Sequence, residues 1–228
     1  MDFAKLEKKL LEDGQGITFD EALELTETPK EKLLELTSLA RKVTVKYKGD
    51  GVFLRSIISA KTGDCSEDCS FCSQSVHFSS PISKHSLLDP EEVLQAAIQS
   101  EKLGAFDFCI VIAVKGPNKR QFKKVIESID LIKENTKLEI GCSLGSLTRD
   151  QAFALAEAGV WRYNHNLEAC REYFHKVCTT HTYDDRLETA KLVKESGMEL
   201  CCGGIMGLGE SPEQRLQLAY EQLPLWIQ

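Results

Sequence analysis

Polar and apolar residues follow two different rhythms along the chain, one typical of helices and one typical of strands. A capping residue followed three positions later by an acidic or amide residue marks the start of a helix. Such starts occur at Thr18, Thr28, Asp89, Thr148, Thr182 and Ser211, and the second has proline at the first helical position. Apolar residues at helical spacing follow the starts at Asp89, Thr148 and Thr182. These three helices are predicted to end at glycines, namely Gly104, Gly159 and Gly197.

Short β-prone runs lie between these helices, at residues 52–60, 106–114, 138–144, 161–164 and 199–202. Alternating strands and helices are typical of βαβ units and therefore of a parallel sheet. Five strands are fewer than the eight of a closed (β/α)₈ barrel. The pattern predicts an α/β fold, a TIM-type barrel with about five or six of the eight βα units.

The two ends of the chain differ from its middle. Residues 1–46 are predicted to form a helical N-terminal extension, and residues 47–228 form the core domain. The chain ends on an apolar stretch, residues 223–228, without a stop signal. A natural parallel sheet would hardly end by exposing such a segment. We therefore expect a truncated form of a longer protein, with a small half-barrel as the alternative.

Composition narrows the class of protein. The 228 residues carry a net charge of −7 and no basic stripe, so no nucleic-acid partner is expected. There is no apolar run of about 18 residues and no apolar centre of a signal peptide near the start. We expect a cytoplasmic protein that does not act in a membrane. Nine cysteines in a reducing compartment point to metal binding or catalysis before disulfides.

The strongest motif is Cys65-Ser-Glu-Asp-Cys69-Ser-Phe-Cys72, which follows directly on the first predicted strand. Active-site loops of parallel sheets lie at this end of a strand. Three thiolates in one loop can bind three irons of a [4Fe–4S] cluster and leave the fourth iron open, and the amino and carboxylate groups of S-adenosylmethionine (SAM) suit that open iron. The alternative is a zinc site, which would need a second CxxC or CxxH arm; we expect none here.

The CxxxC-aromatic-xC pattern is the signature of the radical SAM superfamily, and the wider chain resembles the biotin synthase family. The matching segments, in family order, are 61–74 around the cysteines, 163–168 (YNHNLE), 179–186 (TTHTYDDR) and 203–210 (GGIMGLGE). The resemblance implies a radical SAM sulfurtransferase that converts dethiobiotin to biotin. It also implies a [4Fe–4S] cluster, SAM, an auxiliary cluster of [2Fe–2S] type, an electron donor such as flavodoxin or ferredoxin, and a homodimer.

The resemblance assigns roles to individual residues. Cys65, Cys69 and Cys72 hold the SAM-cleaving cluster, and Phe71 lies against the adenine. Asn164 and Asn166 contact SAM and dethiobiotin, Arg186 pairs with the SAM carboxylate, and Glu168 stands where many members carry the aspartate that contacts the ribose. The remaining assigned positions shape the adenine pocket through their backbone: Gly203, Ile205, Gly207 and Glu210.

The auxiliary cluster is expected at Cys109, Cys142 and Cys201. Cys142 is displaced by one residue from the family's ligand position, which falls on Gly141. Because consecutive strand residues point to opposite faces, either a bulge turns Cys142 inward or the cluster is held differently. Cys202 or Cys178 could then supply the missing thiolate, and an arginine that the family uses lies on a strand later than those of this chain.

Other cysteines and the histidines receive no catalytic role from the sequence. Cys170 and Cys178 are interpreted mainly as structural, and His165 as oriented by the asparagines beside it. The remaining histidines are interpreted as ordinary polar residues: His77, His85, His175 and His181. Two alternative functions stay open, another radical SAM enzyme of the same subfamily and an inactive iron–sulfur or zinc-binding protein.

Overall fold

A parallel β-sheet with helices on one face forms the centre of the chain in a computed structural model that describes residues 2–226. The strands lie side by side in the order of the sequence: β1 (Arg55–Lys61), β2 (Asp107–Ile112), β3 (Glu139–Ser143), β4 (Val160–Asn164) and β5 (Glu199–Cys201). The helices are α1 (Phe3–Leu11), α2 (Phe19–Thr26), α3 (Leu33–Lys48), α4 (Pro90–Lys102), α5 (Lys119–Asn135), α6 (Arg149–Glu157), α7 (Tyr183–Glu195) and α8 (Pro212–Trp226).

Every neighbouring pair of strands is parallel, and the strand order never reverses. This is the arrangement of a (β/α) barrel, in which each strand is followed by a helix that returns the chain to the next strand. The described residues contain five of the eight strands of a closed barrel. The predicted α/β class, the parallel sheet and the incomplete barrel are confirmed.

Helix caps account for most helix starts. The predicted capping boxes form at Thr18, Asp89, Thr148, Thr182 and Ser211. The box expected at Thr28 is wrong, because the Thr28 hydroxyl donates to the Leu25 carbonyl oxygen and a 3₁₀ turn precedes α3. Helix α5 was not among the predicted helices, although the Asn118 side chain accepts a hydrogen bond from Gln121 N–H at its start.

The two faces of the sheet have different environments. On the outer face, alternate residues such as Phe108, Ile110 and Ile140 are almost fully buried against the helices. Each such side chain stabilises the fold by roughly 1.5–3 kcal/mol. The inner face carries the residues in between, among them Ile57, which is 67% exposed. The helices thus hold the sheet from outside and leave its inner face open for a site.

The N-terminal helices pack separately from the sheet. Phe3, Leu6 and Leu39 form a small core of their own. Tyr220 of α8 donates a hydrogen bond to the Ile17 carbonyl oxygen and thereby joins this unit to α8. The division into residues 1–46 and 47–228 stays a prediction. Within the apolar ending, α8 runs as far as Trp226, and residues 227 and 228 lie outside the described part.

None of the described helices has both the length and the apolar character needed to cross a membrane.

Candidate active site

The cysteine loop begins where β1 ends, at the edge of the sheet where the strands have their carboxyl ends. Backbone hydrogen bonds close the loop on itself, from Cys65 N–H to the Gln74 carbonyl oxygen (3.0 Å) and from Val76 N–H to the Cys65 carbonyl oxygen (2.9 Å). Ser70 N–H donates to the Val177 carbonyl oxygen at 2.9 Å, which ties the loop to the segment after β4. The loop is therefore fixed at both its base and its tip.

The three cysteines of this loop line one cavity of ≈ 260 Å³ above the inner face of the sheet. Cys65 is buried, and Cys69 and Cys72 are half-buried. Phe71 lies in the same wall with 36% of its surface exposed. Segments that follow β2, β3 and β4 complete the cavity, so the site draws on four successive strands, as active sites of parallel barrels do.

Burial in the metal-free chain favours the protonated form of two of these thiols. Burial raises the pKa of Cys65, and burial together with the neighbouring Cys178 raises the pKa of Cys69 well above its usual range. A thiol must lose its proton to bind iron, so metal binding here releases protons and supplies the cation that makes the thiolates stable. Three thiols that line one cavity fit the ligand set of a [4Fe–4S] cluster with one open iron.

The end of β4 and the residues just after it contribute polar side chains to the cavity wall. Within the described residues, Asn164 Oδ1, His165 Nε2 and Glu168 Oε2 are buried and have no hydrogen-bond partner. Buried polar atoms without a partner are costly and rare in folded proteins. Burial, Arg186 and His181 lower the pKa of His165 to about 3, so its ring is neutral at pH 7. These atoms fit a polar ligand such as SAM.

Arg186 of α7 makes three hydrogen bonds to residues of this wall. Its guanidinium donates from Nε to the Asn166 carbonyl oxygen (2.5 Å), from Nη1 to His181 Nε2 (3.2 Å) and from Nη2 to Glu168 Oε1 (3.2 Å). Burial raises the pKa of Glu168, and Arg186 opposes that rise. A guanidinium has five N–H donors, so two remain for a ligand. Glu168 has an unusual positive φ of 68°, and its backbone pairs with Gly204.

Hydrogen bonds within the chain fix the glycine-rich segment after β5. Glu210 accepts hydrogen bonds from the N–H groups of Gly207 and Leu208 at 2.7 Å, and the Gly207 bond together with the Arg215 side chain lowers its pKa to about 2. The Gly203 carbonyl oxygen accepts from Leu167 N–H at 2.9 Å. None of the four predicted positions in this segment is among the described residues that line the cavity. Their part in an adenine pocket stays a prediction.

Cys109 and Cys201 lie on the inner face of the sheet, deeper than the first cysteine loop. Asn164 connects them, because it stands opposite Cys201 in the β4–β5 register and its Nδ2 donates to Cys109 Sγ at 3.0 Å. Burial, Asp107 and Cys201 raise the pKa of Cys109 to about 12, although the Asn164 hydrogen bond lowers it. The role of these two thiols at an auxiliary cluster stays a prediction.

Cys142 does not join them, which corrects the expected ligand set. Cys109 pairs with Gly141 in the register of β2 and β3, and Cys142 follows Gly141 on the opposite face, fully buried in the core beneath the helices. The irregular register between β3 and β4 does not turn it inward. Cys202 likewise follows Cys201 and packs in a second core on the helix side. Two inward thiols do not complete the four ligands of a [2Fe–2S] cluster.

Two residues of the site have no predicted role from the sequence at this position. Cys178 Sγ lies 3.8 Å from Cys69 Sγ, at the first cysteine loop and not at the auxiliary site. His181 is buried and approaches Cys178 Sγ with Nδ1 at 3.2 Å, so it is not an ordinary polar residue. The expectation that no second zinc-type arm exists is wrong, because Cys178-Thr-Thr-His181 has the CxxH spacing. This CxxH spacing was the signal in the sequence that could have identified Cys178 and His181 as metal ligands.

Comparison with known families agrees with this geometry. Residues 60–222 match the Radical SAM superfamily. In fold, the chain resembles methylornithine synthase (TM-score 0.86, 23% identity, 96% of this chain and 64% of that one) and HydG, a maturase of the [FeFe]-hydrogenase (TM-score 0.81, 19% identity, 97% and 49%). At these identities the likeness shows the fold alone.

Sequence relatives are more specific. A biotin synthase of Mycobacterium avium (strain 104) is 46% identical over 214 residues, which cover 94% of this chain and 62% of that protein. A biotin synthase of Acetivibrio thermocellus is 45% identical over 221 residues, which cover 97% and 69%. The chain thus spans a little under two thirds of the mycobacterial relative. It belongs to the radical SAM superfamily and, within it, to the biotin synthase family.

Proposed function

We propose that this chain binds a [4Fe–4S] cluster and SAM and forms the radical-generating part of a biotin synthase, which inserts sulfur into dethiobiotin. One observation carries the proposal: a single cavity at the carboxyl ends of the strands is lined by the three cysteines of the loop and by Asn164, His165 and Glu168, each of which has a buried polar atom without a hydrogen-bond partner among the described residues. The thiols suit iron, and the polar atoms suit the amino acid and ribose groups of SAM. Membership of the biotin synthase family selects dethiobiotin as the substrate.

The protein's own part is to hold and to orient. When bound, the cluster would supply the electron for reductive cleavage of SAM, and SAM would supply the radical chemistry. Cys65, Cys69 and Cys72 hold the cluster. Asn164 and Glu168 each have a buried side-chain oxygen without a hydrogen-bond partner among the described residues, and these oxygens would accept ligand N–H or O–H groups. Radical chemistry by a bound cofactor depends on the protein mainly for position and for exclusion of water.

Arg186 has two tasks in this proposal. It holds the Glu168 carboxylate at 3.2 Å and so fixes the acceptor oxygen beside the cavity. Its remaining N–H donors serve the SAM carboxylate, for which a guanidinium provides a matching planar fork. Because Glu168 is one methylene longer than aspartate, the Arg186 contact also sets where its second oxygen lies.

The sulfur-inserting part of the proposal rests on family membership. Cys109 and Cys201 are the described thiols on the inner face that could hold an auxiliary cluster, and they leave its ligand set incomplete. Family membership also supports three further parts of the proposal: a cytoplasmic location, a flavodoxin or ferredoxin as electron donor, and a homodimer.

The test is anaerobic reconstitution with iron and sulfide, followed by incubation with SAM and dithionite, with and without dethiobiotin. We expect a SAM-responsive cluster of about four irons and release of 5′-deoxyadenosine that increases with dethiobiotin. Cys69→Ser should lose both the cluster and the product, while Cys170→Ser, which removes another buried thiol, should keep them. A folded, reconstituted chain that binds four irons but never cleaves SAM would contradict the proposal. Cleavage that ignores dethiobiotin would contradict the substrate.

A further inference from the structure

Cys69, Cys178 and His181 bring one metal-ligating atom each within 4.8 Å of one another. Only Cys69 belongs to the cysteine loop, and the other two residues come from the segment between β4 and α7. Cys178 and His181 are buried, and Cys69 is half-buried. Two soft sulfur atoms and an imidazole nitrogen form a donor set that Zn²⁺ prefers.

The distances agree with tetrahedral coordination. Two thiolates bound at about 2.3 Å to one tetrahedral zinc ion lie about 3.8 Å apart. Cys69 Sγ and Cys178 Sγ are 3.8 Å apart, and Cys178 Sγ lies 3.2 Å from His181 Nδ1. Two of the three separations are therefore already close to those of one tetrahedral site, and the third, between Cys69 and His181, is at most 4.8 Å.

Neighbouring groups support an ion at this place. Glu67 Oε2 lies 2.5 Å from His181 Nδ1, and Asp68 Oδ1 lies 3.1 Å from Cys178 Sγ. Either carboxylate can supply the fourth ligand that a tetrahedral zinc site takes. Asp68 is itself fixed by the N–H groups of Thr179 (2.8 Å) and Thr180 (3.2 Å). Hydrogen bonds therefore fix Asp68 and Cys178 relative to each other.

We propose that Cys69, Cys178 and His181 form a binding site for a single Zn²⁺ ion in the chain that lacks its iron–sulfur cluster. The site goes beyond SAM cleavage and does not depend on it. Because Cys69 is needed by both centres, Zn²⁺ and the cluster exclude each other. An ion on His181 Nδ1 places the ring proton on Nε2, so Arg186 loses that acceptor and keeps Glu168 and the Asn166 carbonyl oxygen.

Zinc titration of the anaerobic, iron-free chain against a chromophoric chelator tests the proposal. We expect one tightly bound Zn²⁺. Loss of an outer hydrogen bond can reduce the affinity of a metal site by roughly 100-fold. Cys178→Ser removes a ligand and should therefore reduce the affinity for Zn²⁺ by more than this. Cys170→Ser should leave the affinity unchanged. Co²⁺ used as a probe should show thiolate-to-cobalt absorption in the parent chain and lose most of it in Cys178→Ser. Equal zinc affinity in the parent and Cys178→Ser would assign the ion to Cys65, Cys69 and Cys72 and overturn the proposal, as would the absence of tight binding.

A second measurement separates this site from the cluster itself. Zinc loading should block iron–sulfide reconstitution in the parent chain and leave it nearly complete in Cys178→Ser. Full cluster assembly with zinc retained would contradict the shared role of Cys69. Circular dichroism checks that each variant is folded, and His181→Asn tests a second ligand should Cys178→Ser prove unstable. Failure of these tests leaves SAM cleavage unaffected, so the two proposals fail separately.

Discussion

Replacing Arg186 with methionine tests how far the buried ion pair of the site depends on its cation. Methionine keeps much of the side-chain length and removes the guanidinium. The Arg186 and Glu168 side chains are 14% and 9% exposed, and Nη2 and Oε1 lie 3.2 Å apart. After the substitution the Glu168 carboxylate stays buried without its cation. Its second oxygen already has no partner within the described part of the chain.

The size of the effect follows from the distance and the burial. At an effective dielectric constant of about 20, two charges 3.2 Å apart attract by about 5 kcal/mol. Removal of one partner from a buried pair costs about 3–5 kcal/mol in practice, because the other charge remains buried. We expect Arg186→Met to lower the free energy of unfolding by this amount, which is a large part of the stability of a typical domain.

The loss should grow with pH. Burial raises the pKa of Glu168 and Arg186 opposes that rise, so the pKa rises further once Arg186 is gone. Above the pKa of an unfolded glutamate, about 4.3, the unfolded chain then binds fewer protons than the folded chain. The free energy of unfolding therefore falls as pH increases, by up to about 1.4 kcal/mol per pH unit, until the pH passes the folded-state pKa.

Urea denaturation of the metal-free chain at about pH 6 and about pH 8.5 measures both effects. The double variant Glu168→Gln/Arg186→Met is the control, because it buries no charge and should recover stability and lose the added pH dependence. A loss in Arg186→Met that is below about 1 kcal/mol, the level of an exposed ion pair, or that is equal at the two pH values, would refute the reasoning.

Three further substitutions test the inner face of the sheet and its edge. Gly141→Cys should raise the iron and sulfide bound beyond the first cluster, because an added Cβ meets Cys109 atoms at ordinary contact distances of 3.5–3.6 Å; unchanged iron would contradict this. Cys142→Ala should leave bound iron unchanged by elemental analysis, since its thiol lies on the outer face. Tyr163→Phe should cost about 1–3 kcal/mol in urea denaturation, because its buried hydroxyl accepts from Leu144 N–H and donates to the Gly145 carbonyl oxygen. A cost near zero would mean that water replaces the hydroxyl.

Local signals in the sequence predicted most of the secondary structure. Capping residues interact with atoms three positions away, and the alternation of strand residues is a property of neighbours, so both can be read without knowing the fold. The missed helix α5 also carries such a signal, at Asn118 and Gln121. Thr28 shows the limit of this reasoning, because its hydroxyl prefers the carbonyl oxygen of the preceding helix.

Which face of the sheet a strand side chain lies on could be decided only from the pairing of the strands. Cys142 is one position from the family's ligand site, and the sequence left open whether a bulge turns it inward. The register of β2 with β3 places Gly141 beside Cys109, and that register is set by packing of the outer face against the helices. A shift of one residue would bury Gly141 and move the core residues to the open face.

The sequence by itself determined the parallel α/β fold and the family, and it predicted the cysteine loop as a site for iron, because motif spacing and periodicity carry that information. The tertiary structure alone decided which distant groups meet that loop. Cys178 lies 109 residues from Cys69 along the chain and 3.8 Å from it in space. The parallel sheet causes this, because it returns the chain to the same edge after every strand and so brings loops from separate βα units together.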